Sequence, residues 1–266
     1  MTSARQDAAQ RFRYLIDQTR KLTRHESRDG AVSIEHALLA EWQCARLGET
    51  YADFHTERRY RAALDFFLTD IYGPADFSQR DNDIERVYPI MVKMLSVTAI
   101  DSLAQAMELH AISMQLDRQL IDVLTGEMGL DPAAGTSALT PDMYAAAYRY
   151  CDNYDARITQ IGLAIEAASL LEHAVRKKMI YLTVKVARAP AKAAGFGELQ
   201  SFLERGLSAF KKMKGSHRFL DALEQRERHV LDSIFDDAPA QTWFGSVTHD
   251  IVPAHGKGKS KGKGKR

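Results

Sequence analysis

The chain lacks long apolar runs, and its two cysteines stand far apart. Nowhere do roughly eighteen apolar residues follow one another, and the charged first two dozen residues contain no secretory-signal stretch. Cys44 and Cys151 form no CxxC pair and have no histidine at zinc-finger spacing, which excludes a disulfide framework and a zinc ribbon. We therefore expect a cytoplasmic protein without a transmembrane segment.

Local signatures of common enzyme classes are also missing. The sequence has no Gly-x-Ser-x-Gly elbow, no phosphate-binding glycine loop, and neither a Glu-x-x-His nor a His-Glu-x-x-His motif. Gly195-Phe-Gly197 lacks the third glycine and the preceding strand of a dinucleotide-binding turn. These absences exclude known local signatures only, so the sequence predicts no metal site and leaves enzyme activity undecided.

Helical periodicity is present along most of the chain, whereas strand patterns are nearly absent. Residues 90–131 and 142–189 contain no proline and predict two long helices, and Thr140 with Pro141 marks the start of the second. In the second, one apolar stripe runs from Tyr144 through Leu171 to Met179, Leu182 and Val186. We predict an all-α fold: a single bundle of about six to eight helices over residues 5–237, then an irregular lead-out and a disordered tail over residues 238–266.

Charge is distributed unevenly. The chain holds 36 lysines and arginines against 35 aspartates and glutamates, but six of those bases lie in residues 257–266, which contain no acid. The rest of the chain is therefore mildly acidic, which argues against a folded surface for nucleic acid. The glycine-lysine tail predicts either a weak, salt-sensitive contact with a polyanion or a solubilising extension.

Residues 66–89, which we call the corner segment, are the most distinctive part of the sequence. A helix end at Tyr72-Gly73-Pro74 is followed by a new helix start rich in charge. The candidate site residues of this segment are Tyr72, Arg80, Asp81, Asp83 and Arg86. The charged ones suggest either a ligand or partner site or a corner of paired charges; the paired corner is the commoner arrangement. A calcium loop is excluded because glycine and glutamate are missing at the required places.

Two residues elsewhere are candidates for ligand contact. His110 lies on an apolar stripe between Met107 and Met114, where an imidazole could serve as an axial haem ligand. Tyr148 lies with Tyr144 on the long stripe and could line a pocket. The more common interpretation is a core histidine that is hydrogen-bonded to the backbone, and tyrosines that pack in the core with their hydroxyls at its edge.

The corner segment resembles a family of uncharacterised proteobacterial helical proteins with an FFxxDIYGPxDFSxRDxD-like stretch. The matching residues are Phe66, Phe67, residues 70–74, residues 76–78, Arg80, Asp81 and Asp83. The resemblance runs from about residue 40 to residue 236 and includes FLERGLSAFKKM and FLDALEQRE near the end. It implies an all-α fold and a motif suited to mutagenesis, and it supplies no catalytic residues.

Two functions from different classes remain open at this point. The first is a non-enzymatic interaction or regulatory module that meets a protein partner through grooves between helices or through the corner segment. The alternative is a bundle that binds haem, a metal or an apolar small molecule near His110 and the tyrosines, with oxidoreductase activity in that case. A homodimer is compatible with both.

Overall fold

The structure, a computed structural model, describes residues 3–28, 31–73 and 77–243. These residues form twelve α-helices, one π-helix, three short 3₁₀-helices and a single pair of two-residue strands. The predicted all-α class is confirmed. The predicted number of helices is too low, because several stretches without a strong sequence breaker are divided by single residues with non-helical backbone.

The first half of the chain folds into six α-helices. In order, the elements are α1 (Ser3–Glu26), β1 (Ser27–Arg28), β2 (Ala31–Val32), α2 (Ile34–Thr50), α3 (Ala52–Thr56), α4 (Arg58–Phe66), the π-helix Phe67–Ile71, α5 (Ser78–Met94) and α6 (Val97–Gly126). The strands pair antiparallel. The described part of the corner segment, residues 66–73 and 77–89, includes the end of α4, the π-helix and most of α5.

The second half contains six more α-helices. They follow the 3₁₀-helices Pro132–Ala134 and Thr136–Ala138 and are α7 (Pro141–Cys151), α8 (Tyr154–Arg176), α9 (Lys178–Val186), α10 (Arg188–Ala193), α11 (Gly197–Met213) and α12 (His217–Phe235), with a last 3₁₀-helix at Ala240–Thr242. Thr140 caps α7 by accepting a hydrogen bond from the Met143 amide at 3.2 Å, and Pro141 takes the first helical position.

The single helix predicted over residues 142–189 is wrong. Asp152 ends α7 in the left-handed conformation, with φ of 46°, a conformation that aspartate tolerates better than most residues. Lys177 is extended between α8 and α9, with ψ of 95°. Neither residue is a strong breaker in sequence, so only the tertiary arrangement selects these two positions.

The helix start predicted after Pro89 is also wrong, because Pro89 lies inside α5. Contacts in the turn before the proline hold α5 against α1: Glu85 pairs with Arg20 at 2.8 Å, and the Tyr88 hydroxyl donates to the Ala9 carbonyl oxygen at 2.8 Å. These contacts offset the proline's destabilising effect. The chain then breaks at Leu95, and Ser96 caps α6.

Three groups of buried apolar residues form the core. One joins α2, α6, α7 and α12, where Trp42 stacks on Tyr144 with ring centroids 4.1 Å apart. The second joins α3, α4, α8, α11 and α12, and the third joins α1 to the first half of α6. Trp243, in the predicted lead-out, packs in the first group, whereas residues 244–266 of the predicted lead-out and tail lie outside the described residues.

None of the helices that the structure describes combines the length and the apolar character needed to cross a membrane. This finding agrees with the absence of long apolar runs noted in the sequence.

Candidate functional site

Arg80, Asp81 and His110 meet where α1, α5, α6 and α11 converge. The His110 Nε2 atom lies 3.3 Å from Asp81 Oδ2 and 3.2 Å from Arg80 Nη2. Thr23, on α1, donates its hydroxyl to Asp81 Oδ2 at 3.1 Å. Side chains from three helices thus converge on one largely buried carboxylate.

Arg80 is held between aromatic rings as well as by charge. Its guanidinium carbon lies 4.2 Å from the Phe77 ring centroid and 5.0 Å from that of Phe202, on α11. Such stacking suits guanidinium groups, which are weakly hydrated. Burial lowers the pKa of Arg80, and the Asp81 carboxylate opposes that shift.

The Asp81 carboxylate is held in its ionised form. Burial by itself would raise its pKa, but His110, Arg80 and Thr23 offset that effect, and the pKa lies below its usual range. A buried carboxylate with three polar partners is already satisfied within the fold. Its geometry therefore suits a structural ion pair.

Asp83 is completely buried and ties α5 to the beginning of α11. It accepts hydrogen bonds from Gln79 Nε2 at 2.8 Å and from the Leu199 amide at 3.4 Å. Leu199 lies in the first turn of α11, where amides lack partners within the helix and a carboxylate is favourable. Arg86 lies 3.7 Å from Asp83 and donates to the Ala194 carbonyl oxygen at 3.2 Å, so it links α5 to the loop before α11.

Two stretches that carry the family resemblance pack directly against each other. Asp70, in the π-helix, accepts a hydrogen bond from Arg205 Nε at 2.7 Å, and Phe66 lies across Gly206. A Cβ atom at Gly206 would stand only 2.9 Å from the Phe66 ring, so glycine is needed for this close approach. The resemblance thus coincides with the contact between the corner segment and α11.

Tyr72 and Tyr148 do not join this group; they lie near a second set of buried polar residues. Tyr144 donates its hydroxyl to the Tyr148 hydroxyl at 2.8 Å, and the Arg157 guanidinium lies 4.3 Å from the Tyr148 ring centroid. Burial raises the pKa of Tyr72, and the nearby Glu227 carboxylate raises it further. Of the seven predicted site residues, the structure brings five to the corner and two to this second set.

The charged residues at the centre of the second set were not among the residues predicted from the sequence. Arg46 binds Glu227 through two hydrogen bonds of 2.8 and 3.2 Å, and the Tyr51 hydroxyl donates to the same carboxylate at 3.0 Å. Burial opposes the charge of Arg46, but Glu227 more than offsets it and raises the pKa of Arg46. No sequence pattern singled out Arg46, Glu227 or Arg157 as members of a buried polar set.

The α9 helix departs most from its predicted environment. The stripe residues Met179, Leu182 and Val186 are 73%, 53% and 76% exposed, so the apolar stripe does not remain in the core along its whole length. Tyr181 faces α11 instead, with Lys211 Nζ 3.7 Å from its ring centroid. We call the exposed stripe of Met179, Leu182 and Val186 the α9 face.

A cavity of about 210 Å³ separates part of α9 from α11. Its lining includes Tyr181, Val184 and Leu207 and the ion pair between Arg188 and Glu204. Hydrogen bonds from Arg188 and then Gln200 lower the pKa of Glu204 to about 2. This ion pair anchors the segment after α9, while the α9 face points away from the cavity toward solvent.

No group of three or more histidine, cysteine, aspartate or glutamate residues suited to a metal ion occurs in the described parts of the chain. Axial ligation of a haem by His110 Nε2 would require displacement of Asp81 and Arg80 from that nitrogen. The ligand and partner roles expected of the seven residues therefore stay predictions.

These features define an all-α protein with a buried polar corner between helices. The chain belongs to a family described as a domain of unknown function (DUF8198), whose model matches residues 22–241 and so covers most of the sequence. No curated protein and no solved structure matches the chain.

Proposed function

We propose that the protein is a cytoplasmic, non-enzymatic interaction module whose contact surface is the α9 face. The supporting observation is the exposure of three large apolar side chains, 53–76% each, on one short helix. Apolar side chains gathered in one exposed patch, unlike single scattered ones, are typical of a contact surface. The cytoplasmic location rests on the sequence alone.

The corner segment supports this proposal less well than the α9 face. Asp81 and Asp83 are buried, and their carboxylates already bind groups from other helices. A partner that engaged them would have to break those bonds and leave the groups that now bind the carboxylates without their charged partners. The corner is better suited to hold the helices that carry the contact surface.

Photo-crosslinking in the native host tests the proposal. A photoreactive amino acid replaces Met179 in one strain and Met94, at the end of α5, in another; these methionines are 73% and 77% exposed and so form a matched pair. We expect adducts with a defined protein or with lipid at position 179 and only background at position 94. Equal adducts at both positions, or none at position 179, would contradict the proposal.

A cofactor remains the second candidate function, and it requires its own test. An absorption spectrum and a metal analysis of untagged protein from the native host detect haem or metal directly. A Soret band that disappears in His110→Ala would establish the haem alternative and displace the interaction module. A colourless, metal-free protein would exclude the haem and metal alternative.

A further inference from the structure

The α9 face has the geometry of a helix that lies on a surface. Met179, Leu182 and Val186 are spaced by three and four residues, so they lie along one side of the helix over about 10 Å. On the opposite side, Tyr181 and Val184 line the cavity against α11. The helix therefore has one apolar side against its own protein and a second apolar side that is exposed to solvent.

The segment around the α9 face carries charge of one sign only. Between Glu172 and Glu198 the sequence contains six lysines and arginines and no acid. Arg176 and Arg188 are paired with Glu172 and Glu204, and Lys185 lines the cavity with its Nζ 5.2 Å from the Tyr181 ring centroid. The side chains of Lys177 and Lys192 are exposed. A surface that combines an exposed apolar stripe with exposed lysines is complementary to a partner surface that is both apolar and anionic.

A second copy of this chain does not provide such a surface. A symmetric contact through the α9 face would bring two segments of the same positive charge together. An acidic protein would complement the charge, but a stable protein interface buries about 800 Å² on each side, far more than two helical turns offer. An anionic lipid surface has no such minimum, because side chains of one short helix insert among the headgroups individually.

We propose that the α9 face docks the protein on anionic membrane surfaces. Met179, Leu182 and Val186 insert at the boundary between headgroups and acyl chains, while the exposed lysines contact lipid phosphates, with their alkyl stems toward the apolar layer. The contact is peripheral and reversible. This proposal rests on the proposed function, since it names the partner of the same face.

Vesicle co-sedimentation of the full chain tests the lipid partner. We use vesicles of phosphatidylcholine alone and vesicles containing about one quarter phosphatidylglycerol. We expect binding to the anionic vesicles that weakens as NaCl rises from about 0.1 M to 1 M, and little binding to the neutral ones. Absence of binding to anionic vesicles at low salt would overturn the lipid proposal.

Variants of the full chain assign the binding to the α9 face. Replacement of Met179, Leu182 and Val186 by serine should lower the vesicle affinity at least about tenfold, because their burial supplies the apolar part of the contact. Lys177→Glu and Lys192→Glu together should lower it by a similar factor, because each replaces a positive charge by a negative one. Met94→Ser is the matched control and should bind like the original chain. Circular dichroism spectra and melting temperatures verify that each variant is folded.

The basic residues of the tail require a separate variant. In this variant, glutamine replaces Lys257, Lys259, Lys261, Lys263, Lys265 and Arg266. We expect it to keep the dependence on the α9 face. If the tail variant loses all binding while the α9 variants bind normally, the tail is the contact and the proposal is wrong.

The outcomes separate this proposal from the proposed function. Crosslinks from position 179 to a protein, without binding to anionic vesicles, would retain the interaction module and overturn the membrane partner. Binding of soluble polyglutamate that depends on the α9 face, again without vesicle binding, would point to an acidic protein instead. The absence of crosslinks at position 179 would overturn the interaction module itself.

Discussion

The corner segment and the segment around α9 are both rich in charge, and they use it in opposite ways. In the corner, acids and bases are intermixed and bind groups from four helices, and Asp83 is wholly buried. Around α9, bases occur without acids, and the apolar side chains of the helix face solvent. Charge of mixed sign can be satisfied inside a protein, whereas charge of one sign remains at the surface.

The comparison shows that a distinctive sequence segment need not be a binding site. The corner segment holds the motif on which the sequence resemblance was based, and its residues pack against a second such stretch in α11 through Phe66, Gly206 and the pair of Asp70 with Arg205. A structural joint is sufficient to explain these residues. The α9 segment, by contrast, looked like the continuation of a core helix.

The largest effect is expected from Asp81→Ala, which leaves Arg80 buried without its carboxylate. Removal of one partner of a buried ion pair destabilises a protein strongly, and we expect a loss of about 3 kcal/mol in the free energy of unfolding. Urea denaturation measures this loss. Asp122→Ala, an exposed aspartate in α6, is the control and should change stability by less than about 0.5 kcal/mol. Equal effects of the two substitutions would show that the corner is not a structural joint.

A second prediction concerns the contact between the corner segment and α11. Gly206→Ala places a methyl group 2.9 Å from the Phe66 ring and should destabilise the protein by about 2 kcal/mol. Gly162→Ala is the control, because no atom lies within 4 Å of its new methyl group; it should stabilise α8 by about 0.5–1 kcal/mol. Thermal unfolding measures both.

The double variant Phe66→Leu, Gly206→Ala shows whether the two residues act through their contact. If the ring causes the clash, Gly206→Ala should cost less in the Phe66→Leu background than in the original chain. Strictly additive effects would contradict this explanation.

The third prediction follows from the lowered pKa of Asp81. A carboxylate with a lower pKa in the folded state contributes stability that is fully present above its unfolded pKa of about 3.9. That stability is lost as pH falls through the lower folded pKa. Urea midpoints measured from neutral to acidic pH should therefore fall less steeply for Asp81→Asn than for the original chain. Parallel curves would mean that Asp81 is not held ionised by its partners.

The smallest effect is expected at the α9 face. Met179→Ser should leave the free energy of unfolding within about 0.5 kcal/mol of the original value, because the side chain already faces solvent. Leu171→Ser, earlier on the same predicted stripe and packed against the core, should cost about 2 kcal/mol. A similar cost at both positions would show that α9 belongs to the core.

Part of the fold could be predicted from local signals. The apolar periodicity and the scarcity of strand patterns predicted the all-α class, and Thr140 with Pro141 marked the start of α7. The breaks at Asp152 and Lys177 carry no strong local signal, and Pro89 is a misleading one. Contacts of α5 with α1 overcome the effect of the proline, and such contacts between distant segments do not appear in a periodic pattern.

The sequence predicted several residues of the candidate site but not their contacts with other helices. The sequence placed Arg80, Asp81, Asp83 and Arg86 together on one helix, because neighbouring turns share a face. It did not show that His110 and Thr23 would meet Asp81, or that Asp83 would cap α11. It also missed Arg46 and Glu227, which are 181 residues apart and meet only in the folded chain.

The sequence by itself determined the class of fold, the positions of many helices and the uneven distribution of charge, because these depend on neighbours a few residues apart. Only the tertiary structure decided which apolar residues are covered. One helical stripe runs from Tyr144 to Val186 in the sequence, yet Tyr144 is buried and Val186 is 76% exposed. Periodicity defines the faces of a helix, but burial depends on which other helices pack against each face.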